Sequence, residues 1–199
     1  MNKPVPRMQT NPKEIAGYGA AHPFVLRDCV PGDEGKLALL GAATFLETYA
    51  GVLPSNAILA HCGQNHVPEK YRAWLDSTDT HIAIAEVEDA PVGYAVLCPV
   101  SSSIQASAGD IELRRIYLLH RFQGAGIGPA LMDWALGKAK ELGNRRLVLG
   151  VYPGNKQAIR FYSRYGFTQV GHREFQVGDL LFLDPVLARE VSPQTSNAR

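Results

Sequence analysis

Cysteine is scarce in this chain, and the three that occur, Cys29, Cys62 and Cys98, are odd in number and far apart. They can form neither a disulfide framework nor a Cys-x-x-Cys metal site. His61, Cys62 and His66 lie close together, but their spacing fits no zinc pattern, so no metal is expected. Charge of one sign is also lacking. Lysine and arginine number 20 against 19 aspartates and glutamates, a formal net charge of +1. That balance leaves no electrostatic footprint for nucleic acid and no membrane-seeking surface. No apolar run approaches the roughly 20 residues needed to cross a bilayer. The opening Met1-Asn2-Lys3-Pro4-Val5-Pro6 has no basic-then-apolar signal pattern, and a cytoplasmic protein is expected. There is no internal repeat.

What is present is material for one core. At 199 residues and 46% hydrophobic, the chain supports a single α/β domain, placed at residues 23–191. Residues 1–22, broken by Pro4, Pro6 and Pro12, and residues 192–199 read as disordered tails. Residues 24–28 read as a first strand. Pro31-Gly32-Asp33 then starts a helix carrying Leu37, Leu40, Thr44, Phe45 and Thr48 at helical intervals. A looser helical region follows over 55–77, with a break expected near Gly63 and a restart at Pro68. Strands are expected over 80–87, 92–100, 110–119, 146–151, 168–176 and 179–185, and helices after the 110–119 and 146–151 strands.

The most informative stretch is Arg121-Phe122-Gln123-Gly124-Ala125-Gly126-Ile127-Gly128, between the apolar run Ile116-Tyr117-Leu118-Leu119 and a helix bearing Ile127, Leu131, Trp134, Ala135, Ala139 and Leu142 on one face. Strand, glycines and helix start together present free backbone N–H groups beside the positive end of the helix dipole, a seat for phosphate. A Walker loop would need Lys-Ser or Lys-Thr after its last glycine, whereas Pro129-Ala130 stands there. A dinucleotide fingerprint would need different glycine spacing and an acid ending the following strand, and neither is present.

The loop resembles the Arg/Gln-x-x-Gly-x-Gly/Ala motif of the Gcn5-related N-acetyltransferases. About thirty residues on, Asn155-Lys156-Gln157-Ala158-Ile159-Arg160-Phe161-Tyr162-Ser163-Arg164-Tyr165-Gly166-Phe167 is similar to that family's second motif, Asn-x-x-Ala-x-x-Phe-Tyr-x-x-x-Gly-Phe. The residues make local sense by themselves: Asn155 is placed to cap a helix, and Gly166 to end it in a left-handed turn. Further resemblance to spermidine/spermine-type bacterial enzymes lies in residues 44–49, 111–117 and 149–152.

The resemblance implies one domain with a mixed, mostly antiparallel sheet of about seven strands, flanked by helices and splayed between the fourth and fifth strands. It implies acetyl-CoA as cosubstrate. Backbone contacts to its pantetheine arm would come from Ile116, Tyr117 and Leu118, with Leu118 N–H polarising the acetyl carbonyl. Arg121 and Gln123, Gly124, Ala125, Gly126, Ile127 and Gly128 would hold the pyrophosphate, and Asn155 would bond the pantetheine amides or hold the helix start. Tyr162 is the implied general acid, its other reading being a ring packed on the sheet. Glu112 is the implied base acting through water, or else a solvated residue or a partner of Arg114. His81, His120 and His172 are alternative bases without a motif. Lys156, Arg160 and Arg164 form a basic stripe, either solvated or near the 3′-phosphate. Phe45, Thr48, Tyr49 and residues 51–54 would border the acceptor, with Glu47, Asp76 and Asp79 as acids for a polyamine. The implied acceptor is a primary amine of a small molecule, with polyamines the first class to try. The alternatives are a protein N-terminus, as in ribosomal-protein acetyltransferases, or an acyl-CoA-sensing module without chemistry. A monomer or homodimer is expected.

Overall fold

A computed structural model describes residues 23–178 and 180–191. The two expected tails, and Asp179, lie outside them. The chain runs β1 (Val25–Asp28), α1 (Glu34–Tyr49), α2 (Ser55–Asn65), α3 (Pro68–Leu75), β2 (His81–Val87), β3 (Ala90–Cys98), β4 (Asp110–Leu118), α4 (Ile127–Glu141), β5 (Arg146–Gly150), α5 (Lys156–Arg164), β6 (Thr168–Val177) and β7 (Leu180–Glu190). The strands make one sheet in the order β1-β2-β3-β4-β5-β7-β6, antiparallel except for the β4–β5 pair. No helix among the described residues is long and apolar enough to cross a membrane.

Both faces of the sheet centre are covered, so β2 and β3 are buried almost throughout. On one face, α4 lays Ile127, Leu131, Ala135 and Ala139 against Val92, Ala95, Leu97 and Leu113. Four-residue spacing makes these one stripe, and the two alanines let the helix sit close to the strands. Trp134, partly buried, packs against this core while its indole N–H donates to Asp28 at 2.8 Å, whereas Leu142 is 42% exposed and leaves the expected buried face. On the other face, Leu37 and Leu40 of α1 pack with Tyr71 of α3 against Ile82, Ile84, Tyr94 and Val96. Gly41 permits this approach, since a Cβ there would overlap His66 Nδ1 and Tyr71 Oη.

Two expected boundaries move. The α2–α3 break falls at His66-Val67 rather than Gly63, because the residue before Pro68 is pushed out of helical conformation, and Val67 is extended at φ −112°, ψ 151°. The last strand runs through Pro185 to Glu190. Pairing with β5 begins only at Val186: Pro185 accepts from Val151 N–H just past the end of β5 but has no N–H to return, so the proline ends that ladder, while the β6 side, which its nitrogen does not face, keeps its pairing.

Two irregularities in β4 position the site. Val96 pairs with Arg115 and Leu97 with Leu113, so Arg114 is an extra residue, a bulge. Ile111 and Leu113 therefore face α4, whereas beyond the bulge Ile116 and Leu118 do so, and Tyr117 joins the α1–α3 face. The second irregularity is where pairing stops. β4 and β5 are joined only over Asp110–Arg146, Ile111–Leu147 and Glu112–Val148, after which they part. A buried clasp holds the joined end, Arg146 bonding both oxygens of Asp110 at 2.7 and 2.9 Å. Burial pushes the Asp110 carboxyl up, but Arg146 and the Ser107 N–H outweigh it and hold it below its ordinary value.

Candidate active site

The parting of β4 from β5 opens two cavities that share a wall. The larger, about 1020 Å³, runs from the strand gap to the glycine loop and the start of α5. The smaller, about 320 Å³, lies toward α2 and α3. Thr48, Ile116, Tyr117, Tyr152, Asn155, Ala158 and Tyr162 line both and mark where they meet.

Backbone geometry at the gap follows from the antiparallel ladder. Leu119 N–H bonds the Val92 carbonyl at 2.9 Å, and Tyr117 lies opposite Tyr94. Alternation then turns the backbone groups of Tyr117 toward β3 and those of Ile116 and Leu118 into the gap. Two of the three expected backbone contacts are thus presented, and Tyr117 offers its side chain instead.

The glycine loop is shaped as the sequence required. Gly124 and Gly126 have φ of +86° and +84°, a left-handed conformation that bulkier residues resist. Gly126 is the N-cap of α4. The N–H groups of Gly124, Gly126, Ile127 and Gly128 have no backbone acceptor among the described residues, and Pro129 has none to satisfy. Gln123, Gly124, Gly126 and Gly128 line the larger cavity. Gln123 also accepts from Gln157 Nε2 at 2.8 Å, tying the loop to α5. The other three members differ. Ile127 buries its side chain in the core and offers only its N–H, Ala125 N–H leans on Phe122 at 3.4 Å, and Arg121 stacks on Phe122 at 4.8 Å away from the cavity lining.

Asn155 caps α5, its Oδ1 accepting from Ala158 N–H at 3.0 Å. That helix delivers Tyr162 to the junction. The Tyr162 ring packs on Phe161 and Phe167, yet its hydroxyl has no hydrogen-bond partner among the described residues. Burial, with a smaller push from Tyr117, raises its pKa well above the ordinary phenol value, so it keeps its proton at neutral pH. Arg164 borders the larger cavity, but Lys156 and Arg160 of the expected basic stripe do not.

Glu112 sits in the wall of the smaller cavity at 1% exposure. Its Oε2 accepts from Ser101 N–H and Arg114, both at 2.8 Å, and its Oε1 from Arg173 at 3.4 Å. Any water drawing a proton toward this carboxylate must compete with three donors. Of the alternative bases, His120 alone borders either of these two cavities, where its backbone N–H, 3.0 Å from Glu47, ties this turn to α1. Of the residues read as acceptor neighbours, Phe45 and Tyr49 border the smaller cavity, Thr48 both, and Glu47 and Val52 the larger, whereas Asp76 and Asp79 border neither.

Four lining residues have no role in the sequence reading. Arg115 and Tyr152 lie in the stretches of resemblance at 111–117 and 149–152 without being singled out there, and His61 and His66 enter only as a metal pattern to reject; no metal-binding group occurs among the described residues. Burial and then Arg115 push His61 down to about 4. Burial, Arg115 and then His61 push His66 down to about 3. His66 is therefore neutral in the folded protein, its Nδ1 3.0 Å from the Tyr71 hydroxyl. Below pH 6.5 the unfolded chain takes up a proton that the folded His66 refuses. Stability is lost as pH falls from about 6.5 toward 3, by roughly 2 kcal/mol at pH 4.5 from this group. Urea midpoints at pH 6.5 and 4.5 are expected to lie closer together in His66→Asn than in the wild type. An equal separation would assign the acid sensitivity to carboxylates.

Comparison with known proteins accords with this geometry. The model of the Acetyltransferase (GNAT) family matches residues 53–167. An uncharacterised N-acetyltransferase of Mycobacterium tuberculosis is 31% identical over 80% of this chain and 98% of its own length. A spermine/spermidine N(1)-acetyltransferase of Bacillus subtilis is 32% identical over only 34% of this chain and 45% of its own. Among solved structures, PaiA N-acetyltransferase of Thermoplasma acidophilum in complex with coenzyme A superposes with TM-score 0.70 at 20% identity, covering 84% of this chain and 99% of that one.

Proposed function

Because the chain belongs to the Acetyltransferase (GNAT) family, we propose that it transfers the acetyl group of acetyl-CoA to the primary amine of a small molecule by direct attack on the thioester. The observation that carries this reading is the junction: two cavities meet at the parted strands, and an unpartnered, protonated phenol stands there. The larger cavity takes the cosubstrate, with its pyrophosphate on the N–H groups of the glycine loop and its amide-bearing arm along the exposed edge of Ile116 and Leu118.

In the proposed step the amine nitrogen, neutral when it attacks, forms the new bond to the acetyl carbon. Leu118 N–H faces the gap to steady the negative charge on the carbonyl oxygen. The carbon–sulfur bond breaks, and the departing thiolate takes the proton of Tyr162. The nitrogen sheds its extra proton to water in the cavity. We assign Glu112 to holding Arg114 and Arg173 in place, with any water-borne proton transfer to it secondary; its three donors support that order of roles. The polyamine expectation rests on the resemblance in residues 44–49, 111–117 and 149–152; the spermine/spermidine relative aligns over only a third of the chain, too short to carry an acceptor.

Calorimetry with acetyl-CoA, NAD and ATP, followed by free-thiol release with a broad set of amines, tests the proposal. Acetyl-CoA alone should bind tightly, and an amine should release CoA. Tight NAD binding without acetyl-CoA heat would sink the assignment. Acetyl-CoA binding without turnover on any amine would leave a sensing module, and activity on peptides alone a protein acetyltransferase.

A further inference from the structure

The wall of the smaller cavity holds more positive charge than its carboxylates cancel. Glu112 is bonded by Arg114 and Arg173, and Asp184 lies 3.6 Å from Arg173, so these four charges close on one another. Arg115 lies on the same wall, and no ion pair within 4.0 Å engages it among the described residues. Its partners are neutral: the Asn65 carbonyl at 3.1 Å, the Tyr71 hydroxyl and, at 3.4 Å, the neutral ring of His66. The indole of Trp74 lies 4.6 Å from its guanidinium carbon. Lys70, 5.6 Å from the same indole, adds a second cation to this wall.

A structural role for Arg115 is plain, since Asn65 ends α2 and a cation suits a helix C-terminus. Those three acceptors draw on both terminal nitrogens, three of the group's five N–H donors. What is left, Nε–H and the second N–H of Nη2, is the side edge of a half-buried guanidinium in a cavity wall, without the carboxylate that such an edge ordinarily meets. The bulge at Arg114 deepens the case. It places Arg115 opposite Val96, whose side chain belongs to the α1–α3 core, on the face where the acceptor cavity lies.

Resting on the acetyltransferase reading, we propose that the acceptor amine carries an anionic group, a carboxylate or a phosphonate, which Arg115 receives while the amine reaches the junction at Tyr162. A cavity of about 320 Å³ suits an acceptor the size of an amino acid. Phe45, stacked on His61 at 4.0 Å, and Phe175 offer its side chain an aromatic wall. A polyamine would instead bring ammonium groups to a wall whose uncancelled charges are already positive.

The test uses the full chain with acetyl-CoA and a set of amino acids, each supplied as free acid, amide and aminophosphonate, together with spermidine and short peptides. The free acid or the phosphonate is expected to exceed its amide at least about tenfold in kcat/KM, with spermidine trailing, and whichever anion leads identifies the group. In Arg115→Lys, KM for the anionic amine should rise about tenfold or more with kcat nearly unchanged, because charge remains while the fork is lost. KM for acetyl-CoA should not move. Amides, peptides or spermidine matching the acids would overturn the inference and leave the acetyltransferase reading standing. So would an equal rise in KM for every amine in Arg115→Lys, which is what loss of the helix cap alone would give. No turnover on any amine would overturn both. Should the variant fail to fold, the acid–amide comparison on the wild type decides.

Discussion

Acetyl-CoA affinity is expected to fall by roughly a hundredfold or more, about 2.7 kcal/mol, in Gly126→Val, with the fold retained. Two effects act together. Gly126 has φ +84°, where a β-branched residue is strained, so the loop must shift its N–H groups away from their common target. A Cβ at that position meets no protein atom within 4 Å, and in the proposed binding mode the side chain would compete with the pyrophosphate for that space. Gly128 is the contrast. Its φ is not positive, and a Cβ there would touch only Phe161, at an ordinary 3.9 Å. Gly128→Ala should therefore bind within a few-fold of the wild type. Calorimetry on both variants, beside their thermal unfolding, makes the measurement; equal loss in the two would mean that the loop acts only through its overall smallness.

The second large effect is expected at Tyr162. Tyr162→Phe should lower turnover by roughly one to three orders of magnitude while leaving acetyl-CoA affinity nearly unchanged. The ring still packs on Phe161 and Phe167, and the lost hydroxyl leaves no partner behind among the described residues. The pH profile supplies a second reading. Burial keeps the phenol protonated well past pH 10, so the wild-type rate should climb between about pH 7 and 9 with the neutral fraction of the amine. No descending limb from Tyr162 belongs in that range. Unchanged turnover at saturating substrates would return Tyr162 to a packing role.

The features legible in the sequence were those written in neighbouring residues. Glycine spacing identified the loop, Asn155 and Gly166 bracketed α5, and four-residue recurrence identified the buried side of α4. Features that depend on a second strand were not legible. The bulge at Arg114 exists only in register with Val96 and Leu97, and strict alternation from Glu112 would have set Arg115 on the opposite face. The same holds for Tyr117, whose backbone direction follows from its pairing with Tyr94. Glu112 could be read as a strand carboxylate but not as the meeting point of Ser101, Arg114 and Arg173, which come from three separate parts of the chain. Pro185 was misleading for the same reason, since whether a proline ends a strand depends on which neighbour needs its N–H.

The parting of β4 from β5 gives this sheet an edge in its middle. Exposed strand edges invite foreign strands, and proteins ordinarily shorten, charge or cover those at the rim. Here the unpaired length is brief, running from Leu113 to Leu118 on β4, and the approach is bounded by α1, α5 and the glycine loop. A peptide with side chains on both faces would meet those helices, whereas a thin chain of amides and methylenes would not. In the proposed reaction the pantetheine arm of acetyl-CoA is thus a guest strand, completing a ladder that the polypeptide leaves open. Amide hydrogens of Ile116 and Leu118 should then exchange quickly in the free protein and slowly once the cosubstrate is bound, while that of Tyr117, already paired with β3, should change little.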